Sequence, residues 1–253
     1  MVPWIDGSYS IPSVVAFPEK GKSLVGNAAR KRLLRDPRYA IGSGKRLIGR
    51  QLSDASIANF VASAGVAHQA GPDGSVLVDF WGELYAMPQI CSYLYGAARE
   101  TASHALGQEV RKAVITVPVC FDDAQRDAMR LAAKLAHLEV VEVIEEPCAA
   151  AIANQGQQGF EGIVGVYDFG GGTFDFSLVE ATTGDMRVLA TTGDSWLGGD
   201  DFDIAIANTA ADSAYRSQGV DLRTRSVEWQ ALLNACEQAK RDLSTHEATR
   251  MVV

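Results

Sequence analysis

Five short segments rich in apolar residues predict strands in the first part of the chain. They are Ile11–Phe17, Val76–Phe80, Glu83–Ala86, Lys112–Val117 and Glu139–Ile144. Trp81-Gly82 separates the second segment from the third and predicts a hairpin turn. Residues 18–60 are basic and broken by Gly and Pro.

Five helices are predicted, and most of them begin at or beside a proline or an aspartate. They are Pro88 to about Leu106, Asp122 or Asp123 to Ala136, a helix that begins at Pro147, Asp200–Ser217 and Val227–Leu243. The alternation of strands and helices is typical of an α/β protein with mixed sheets. Gln155–Glu161, with the sequence QGQQGFE, is the predicted hinge between two halves.

The stretch VYDFGGGTFDFSLVE, residues 166–180, places three glycines between two aspartates and two predicted strands, and Met186–Thr191 predicts a third strand beside them. Glycine loses much backbone entropy on folding, so three in a row require a compensating interaction. A phosphate that approaches successive N–H groups would supply it, and a neighbouring aspartate could hold hydrated Mg²⁺.

This glycine turn matches neither common phosphate motif. It lacks the Gly-Lys-Ser/Thr ending of a P-loop, and it leads into a strand where a dinucleotide fingerprint leads into a helix. A flexible hairpin with two flanking carboxylates is the alternative interpretation.

Three other stretches could complete a nucleotide site. Lys45, in GSGKRLIGR, could direct its charge at a γ-phosphate, although the segment also fits a solvated basic face. Glu145 and Glu146 follow a predicted strand and could orient water, or they could simply favour a helix N-terminus. Gly198-Gly199 precede a helix predicted to be capped by Asp200, which indicates either a second anion site or an ordinary turn.

Composition narrows the classes of function. The 253-residue chain has a net charge of −8 and no long basic run, which argues against nucleic acid as a partner. The N-terminus has no signal-peptide pattern, and no apolar run approaches membrane-spanning length. Four scattered cysteines without ligand-spaced histidines argue against a zinc site and favour reduced thiols, so a cytoplasmic location is expected.

Several motifs together resemble the seventy-kilodalton heat-shock chaperones of the DnaK type. They are IPSVVAF, KRLIGR, AVITVPVCFDDAQR, EEPCAAA, VYDFGGGTFD and LGGDDFD, in the family's order over nearly the whole chain. The segments FDDAQR and GDSWLGGDDFD are more similar to the iron–sulfur-assembly branch of the family, the HscA type. The resemblance implies an actin-like, ribonuclease-H-like ATPase fold of two lobes that holds ATP or ADP with Mg²⁺ in a cleft, and K⁺ as a further ion.

The resemblance also assigns roles to individual residues. Lys45 would be the catalytic lysine, Glu146 would position water and Mg²⁺, and Asp168 and Asp175 would bind Mg²⁺ mainly through water and serve as proton acceptor or potassium ligand. The phosphate-binding positions would be Gly170, Gly171, Gly172, Thr173, Gly198 and Gly199, with Thr173 near the γ-phosphate. Pro118 and Arg126 would carry the nucleotide state to a substrate-binding domain.

The resemblance implies domain boundaries and departures from the family. The first lobe would cover residues 1–158, with a small subdomain at 13–87 and a large subdomain that lacks its first strands, because the family's D-x-G-T-T-N loop has no counterpart before Ile11. The second lobe, 159–253, would be incomplete: 159–202 belong to its large subdomain and 203–253 begin the small one. The adenosine-binding segments and the peptide-binding domain would lie beyond Val253, so the fold is expected to be truncated at both ends.

The expected function is therefore ATP hydrolysis coupled to protein folding in a complete parent protein, with this fragment alone inactive. Unfolded peptides would be clients through the missing domain. A J-domain co-chaperone and a nucleotide exchange factor would be further partners, although Glu142 stands where the family has a basic residue used by J-domains. The alternative is a truncated or degenerate paralogue that acts as a non-catalytic binding or scaffold module.

Overall fold

The computed structural model describes residues 2–4, 7–155, 161–182 and 185–251. They fall into two compact units, residues 1–149 and 150–253. The predicted boundary between residues 158 and 159 lies outside the described residues, as does most of the predicted hinge Gln155–Glu161.

The first unit combines three small sheets with helices. Its strands are β1 (Val14–Glu19), β2 (Lys22–Val25), β3 (Ala40–Gly42), β4 (Ala67–Ala70), β5 (Val76–Phe80), β6 (Glu83–Ala86), β7 (Lys112–Val117) and β8 (Glu139–Glu145). Its helices are α1 (Asn27–Arg35), α2 (Ala58–Ser63), α3 (Met87–Leu106) and α4 (Asp123–Leu135), and α5 (Glu146–Gln155) begins at its end. The sheet orders are β2-β1-β3, β4-β5-β6 and β7-β8, and only the last pair is parallel among the described strands.

An aromatic cluster joins two of these sheets. Phe17 of β1 stacks on Phe80 of β5 with ring centroids 4.5 Å apart, and both rings are almost fully buried. Trp81, at the hairpin turn, donates its indole N–H to the Phe17 carbonyl at 2.8 Å and stacks on Tyr39. Burial of these large aromatic side chains stabilises the contact between the two sheets.

The second unit places two helices beside an antiparallel sheet. Its elements are β9 (Gly162–Phe169), β10 (Phe174–Thr182), β11 (Asp185–Asp194), α6 (Gly199–Gln218) and α7 (Ser226–Asp242), and the sheet order is β11-β10-β9. The helices pack on each other through Ala207 and Ala211 of α6 and Leu232 and Cys236 of α7, all buried. Small residues on α6 allow this close approach.

The predicted α/β class is confirmed, and most predicted elements are present within one or two residues. The hairpin at Trp81-Gly82 and the strand Lys112–Val117 have the predicted bounds. Two details were wrong: the first strand begins at Val14 rather than Ile11, and α5 begins at Glu146 rather than Pro147. Residues 18–60, for which no element bounds were predicted, contain strands and helices. α1 packs on the core of this unit through Ala29, which is buried, and through Leu33 one turn later.

Candidate functional site

The segment around Lys45 lies against two helices of the first unit. A methyl group added at Gly44 would come within 3.0 Å of the Met87 side chain on α3. Gly49 has φ +70°, and a Cβ there would lie 2.6 Å from the Cα of Gln125 on α4. Gly49 is therefore required by its positive φ and by close contact with backbone atoms of α4, whereas the Met87 side chain could move aside from a methyl group at Gly44.

Lys45 forms an ion pair with Glu146, 101 positions further along the chain. Glu146 is the first residue of α5, where a carboxylate is stabilised by the helix dipole. The Lys45 ammonium also lies 5.8 Å from the centre of the Phe121 ring, a cation–π contact. The Lys45 side chain is 40% exposed and the Glu146 side chain is 21% exposed, so the ion pair is accessible to a ligand.

Burial raises the pKa of two side chains on α3, Tyr95 and Cys91. It raises the pKa of the Tyr95 hydroxyl well above its usual value, and the charges of Cys91 and Glu146 add to this effect. It raises the pKa of the Cys91 thiol to about 12. The Cys91 thiol and the Tyr95 hydroxyl therefore both stay protonated well above neutral pH.

Arg126 fixes the loop that follows β7. Its Nε donates to the Phe121 carbonyl at 3.0 Å, and its Nη2 donates to Glu145 at 3.2 Å. Phe121 also donates its N–H to the Pro118 carbonyl at 3.2 Å. Pro118 and Arg126 thus lie at the same end of β7 and β8 as Glu146, because parallel strands bring their carboxyl ends together.

The glycine turn of the second unit holds two aspartates opposite each other. Gly170 donates its N–H to the Thr173 carbonyl at 2.9 Å, which closes the turn. Asp168 of β9 and Asp175 of β10 are direct cross-strand partners. Like charges directly opposite each other are unfavourable, and a cation would relieve the repulsion.

The donor chemistry of this pair fits hydrated Mg²⁺. Carboxylate oxygens are the ligands Mg²⁺ prefers, and Mg²⁺ usually keeps several of its waters. No group of three or more His, Cys, Asp or Glu side chains at metal-binding distances occurs within the described parts of the chain. A metal here would therefore depend on water or on a ligand for the rest of its coordination.

The start of α6 packs directly on the glycine turn. Gly199 donates its N–H to the Gly170 carbonyl at 3.0 Å, and Asp200 donates to the Gly171 carbonyl at 2.7 Å. A Cβ on Gly198 would lie 2.6 Å from the Gly172 nitrogen, so only glycine fits there. The turn is thus supported from behind by a helix N-terminus.

Two details of the sequence interpretation change here. Asp200 does not cap the helix; Gly198 is the N-cap residue, and its N–H is accepted by the Asp201 carboxylate at 2.8 Å. The amides of Gly198, Gly199 and Asp200 already have protein partners. Their evident structural role is to hold the glycine turn, and phosphate binding by Gly198 and Gly199 remains a prediction.

Sequence reasoning missed Phe121, Asp203 and Lys240. Lys240 of α7 donates to the Gly199 carbonyl at 2.6 Å and to Asp203 at 2.8 Å. Burial raises the pKa of Asp203, while the hydrogen bond from Lys240 opposes this effect. These contacts join residues 37 and 41 positions apart, and no local pattern in the sequence indicates them.

Comparisons with known proteins show the family to which this chain belongs. A family model described as Hsp70 protein matches residues 5–253, and the chain belongs to the Hsp70 family. The chain is 39% identical over 244 residues to "Heat shock 70 kDa protein, mitochondrial" of Solanum tuberosum. The matched region covers 96% of this chain and 36% of that protein. The chain thus spans about a third of that relative's length and is homologous to part of the Hsp70 nucleotide-binding domain.

The comparisons confirm the family resemblance and correct one expectation. Hsp70 proteins in general are ATPases that bind nucleotide with Mg²⁺, unfolded clients and co-chaperones, and the alternative of a scaffold module is not favoured. The cytoplasmic location was wrong by this comparison, because the relative is a mitochondrial protein by name. In the described part of the chain, no helix is both long and apolar enough to span a bilayer.

Proposed function

We propose that this chain binds the phosphates and Mg²⁺ of ATP and belongs to the ATP-hydrolysing part of an Hsp70 chaperone. The observation that carries the proposal is the glycine turn, with Asp168 and Asp175 in register beside it and α6 packed behind it. A backbone turn without side chains can approach phosphate closely, and the paired carboxylates suit a hydrated divalent cation.

The proposed roles follow from the chemistry of each side chain. Lys45 supplies positive charge for a γ-phosphate, and its partner Glu146 is a carboxylate that can orient an attacking water. Asp168 and Asp175 hold Mg²⁺ mainly through water, with Asp175 also suited to accept a proton or bind K⁺. Gly170, Gly171, Gly172 and Thr173 contact phosphate.

The whole chaperone's partners are part of the same proposal. Unfolded peptides are its clients, and a J-domain protein and an exchange factor regulate it. Pro118 and Arg126 are proposed to relay the nucleotide state, because Arg126 ties the loop after β7 to Glu145, the neighbour of Glu146. The actin-like arrangement of two lobes is likewise an inference from the family.

Titration calorimetry on the 253-residue chain tests the proposal. We expect weak binding that requires Mg²⁺ and differs little between Mg-ATP and Mg-GTP, because the phosphate turn supplies the contacts. Replacing both carboxylates, Asp168→Asn with Asp175→Asn, should weaken binding about tenfold, which is about 1.4 kcal/mol. Asp185→Asn, at the far end of the same sheet, is the matched control.

Two results would count against this proposal. Absence of binding of Mg-ATP, Mg-GTP and Mg-pyrophosphate at millimolar concentration would exclude a phosphate site on this chain. Equal binding by the control and by the double variant would exclude the two aspartates as the metal site.

A further inference from the structure

The face of α3 that packs on the Lys45 turn includes a tyrosine. A methyl group at Gly44 would meet Met87 at 3.0 Å and Cys91 at 3.8 Å, two side chains one turn apart on α3. Tyr95 lies one further turn along the same face, because residues four positions apart are stacked on one side of a helix. The turn that carries Lys45 and the Tyr95 side chain therefore lie on the same side of α3.

The Tyr95 side chain is half-buried and lies close to Glu146. Burial is the main cause of its raised pKa, and the negative charge of Glu146 acts on it in the same direction. Its hydroxyl makes no hydrogen bond with any residue that the structure describes. Tyrosine hydroxyls usually have a hydrogen-bond partner when they are buried, so this hydroxyl is available to a water molecule.

Glu146 has a carboxylate oxygen that can accept from the same water. Its Oε1 accepts from Lys45, whereas its Oε2 makes no hydrogen bond within the described parts of the chain. A tyrosine hydroxyl can donate and a carboxylate can only accept, so one water can accept from Tyr95 and donate to Glu146. A water held in this way directs a proton towards Glu146 and keeps its second lone pair for attack.

We propose that Tyr95 is a positioning residue, whose hydroxyl donates a hydrogen bond to the water that Glu146 orients. The proposal rests on the proposed function in taking this water as the nucleophile of ATP hydrolysis. Its consequence is that the rate of hydrolysis depends on the hydroxyl group of Tyr95. If Tyr95 acts only through the packing of its ring, loss of the hydroxyl leaves the rate unchanged.

Tyr95→Phe tests the proposal in a longer Hsp70 protein that contains this chain, because it removes the hydroxyl and keeps the ring. We expect single-turnover ATP hydrolysis to be about tenfold slower. ATP affinity should be unchanged, because the ordered water contributes to the transition state and not to ATP binding. Tyr93→Phe is the matched control and should retain the full rate, since Tyr93 is on the same helix and its ring contacts Phe17, with centroids 5.4 Å apart.

A double-mutant cycle with Glu146→Gln separates positioning from packing. In that background the water has lost the carboxylate that orients it, so Tyr95→Phe should slow hydrolysis by less than about twofold. A packing role of the tyrosine would give the same loss in both backgrounds. Equal losses in the two backgrounds would overturn the proposal, as would an unchanged rate in Tyr95→Phe or an equal slowing by Tyr93→Phe.

A second measurement does not depend on hydrolysis. The tyrosines of the 253-residue chain are labelled with ¹³C at Cζ, and the two Phe variants assign the NMR signals of Tyr95 and Tyr93. Glu146→Gln should shift the Tyr95 signal and leave the Tyr93 signal in place, because only the Tyr95 hydroxyl shares a water with Glu146. An unmoved Tyr95 signal would overturn the proposal. If the longer protein hydrolyses no ATP while the Tyr95 signal moves, the proposed function fails and the shared water is supported.

Discussion

At the scale of single residues, the candidate site of the first unit is built around the ion pair of Lys45 and Glu146. Each has a second support: Lys45 lies over the Phe121 ring, and Glu146 is at the start of α5. The Phe121 loop is in turn held by Arg126. A group that is held this firmly can act on a ligand without first reorganising, which is what electrostatic catalysis requires.

Replacing the charged groups should lower turnover more than affinity in a longer Hsp70 protein that contains this chain. We expect Lys45→Ala and Glu146→Gln each to reduce single-turnover ATP hydrolysis about 10²–10³-fold, because in the proposed mechanism each acts on the reacting groups. Lys112→Ala, which removes an exposed ion pair with Glu139, is the control and should have little effect. Hydrolysis that survives Lys45→Ala within about tenfold would exclude its catalytic role.

The four cysteines should differ sharply in reactivity. Cys120 is exposed, whereas Cys91, Cys148 and Cys236 are buried. Burial raises the pKa of Cys91 to about 12 and also raises that of Cys236, so both remain thiols at pH 8. Native-state labelling at pH 8 should modify only Cys120 rapidly, and Cys120→Ser should abolish the fast phase. Rapid labelling of Cys91 would contradict the packing of α3.

At the scale of elements, glycines allow α6 and the glycine turn to touch. Gly198 has an extended backbone conformation that any residue can adopt. Glycine is needed at this position because a side chain would collide with the glycine turn. The turn in the first unit is different, since Gly49 combines a positive φ with close contact to α4. Both positions bring backbone against backbone, which no larger residue permits.

Gly198→Ala should separate α6 from the glycine turn. The added methyl group would meet backbone atoms of Gly171 and Gly172, which cannot move aside as a flexible side chain would, so we expect a loss of about 1–3 kcal/mol in urea unfolding. Gly96→Ala, inside α3 with no atom within 4 Å of the new Cβ, should instead stabilise by about 0.5–1 kcal/mol. Equal effects of the two substitutions would show that the contact is absent in solution.

At the scale of the whole molecule, one face of the β9–β10–β11 sheet is apolar and exposed. The apolar side chains of this face occupy alternate positions along β9 and β10. Some of them are direct cross-strand partners, such as Tyr167 and Phe176. The exposed side chains are Ile163 at 60%, Tyr167 at 68%, Phe169 at 41%, Phe176 at 38% and Leu178 at 38%. A contiguous apolar patch of this kind favours association.

We expect the chain to self-associate as its concentration rises. Light scattering should show an apparent mass that increases with concentration, because association buries the exposed sheet face. Ile163→Lys with Tyr167→Lys should suppress the increase, whereas Tyr215→Lys, at an exposed aromatic of α6, should not. A monomer at all concentrations would contradict this expectation.

The sequence by itself determined most elements and the composition of the candidate site. The strand at Lys112–Val117, the hairpin at Trp81-Gly82 and the glycine turn are encoded by local apolar runs and turn residues, which act over a few positions. Residues 18–60 carried no predicted element because the elements found there are short, and a segment such as the nine-residue α1 shows little of a period.

Only the tertiary structure decided how distant residues meet. It placed Lys45 on Glu146, Arg126 on Glu145 and Lys240 on Gly199, pairs separated by 101, 19 and 41 positions. It also showed that the amides of Gly199 and Asp200 hold the glycine turn. Contacts of this kind depend on how helices and sheets pack on each other. The apolar periodicity of a sequence shows which face of a helix or strand is buried, but it does not show which residues that face contacts.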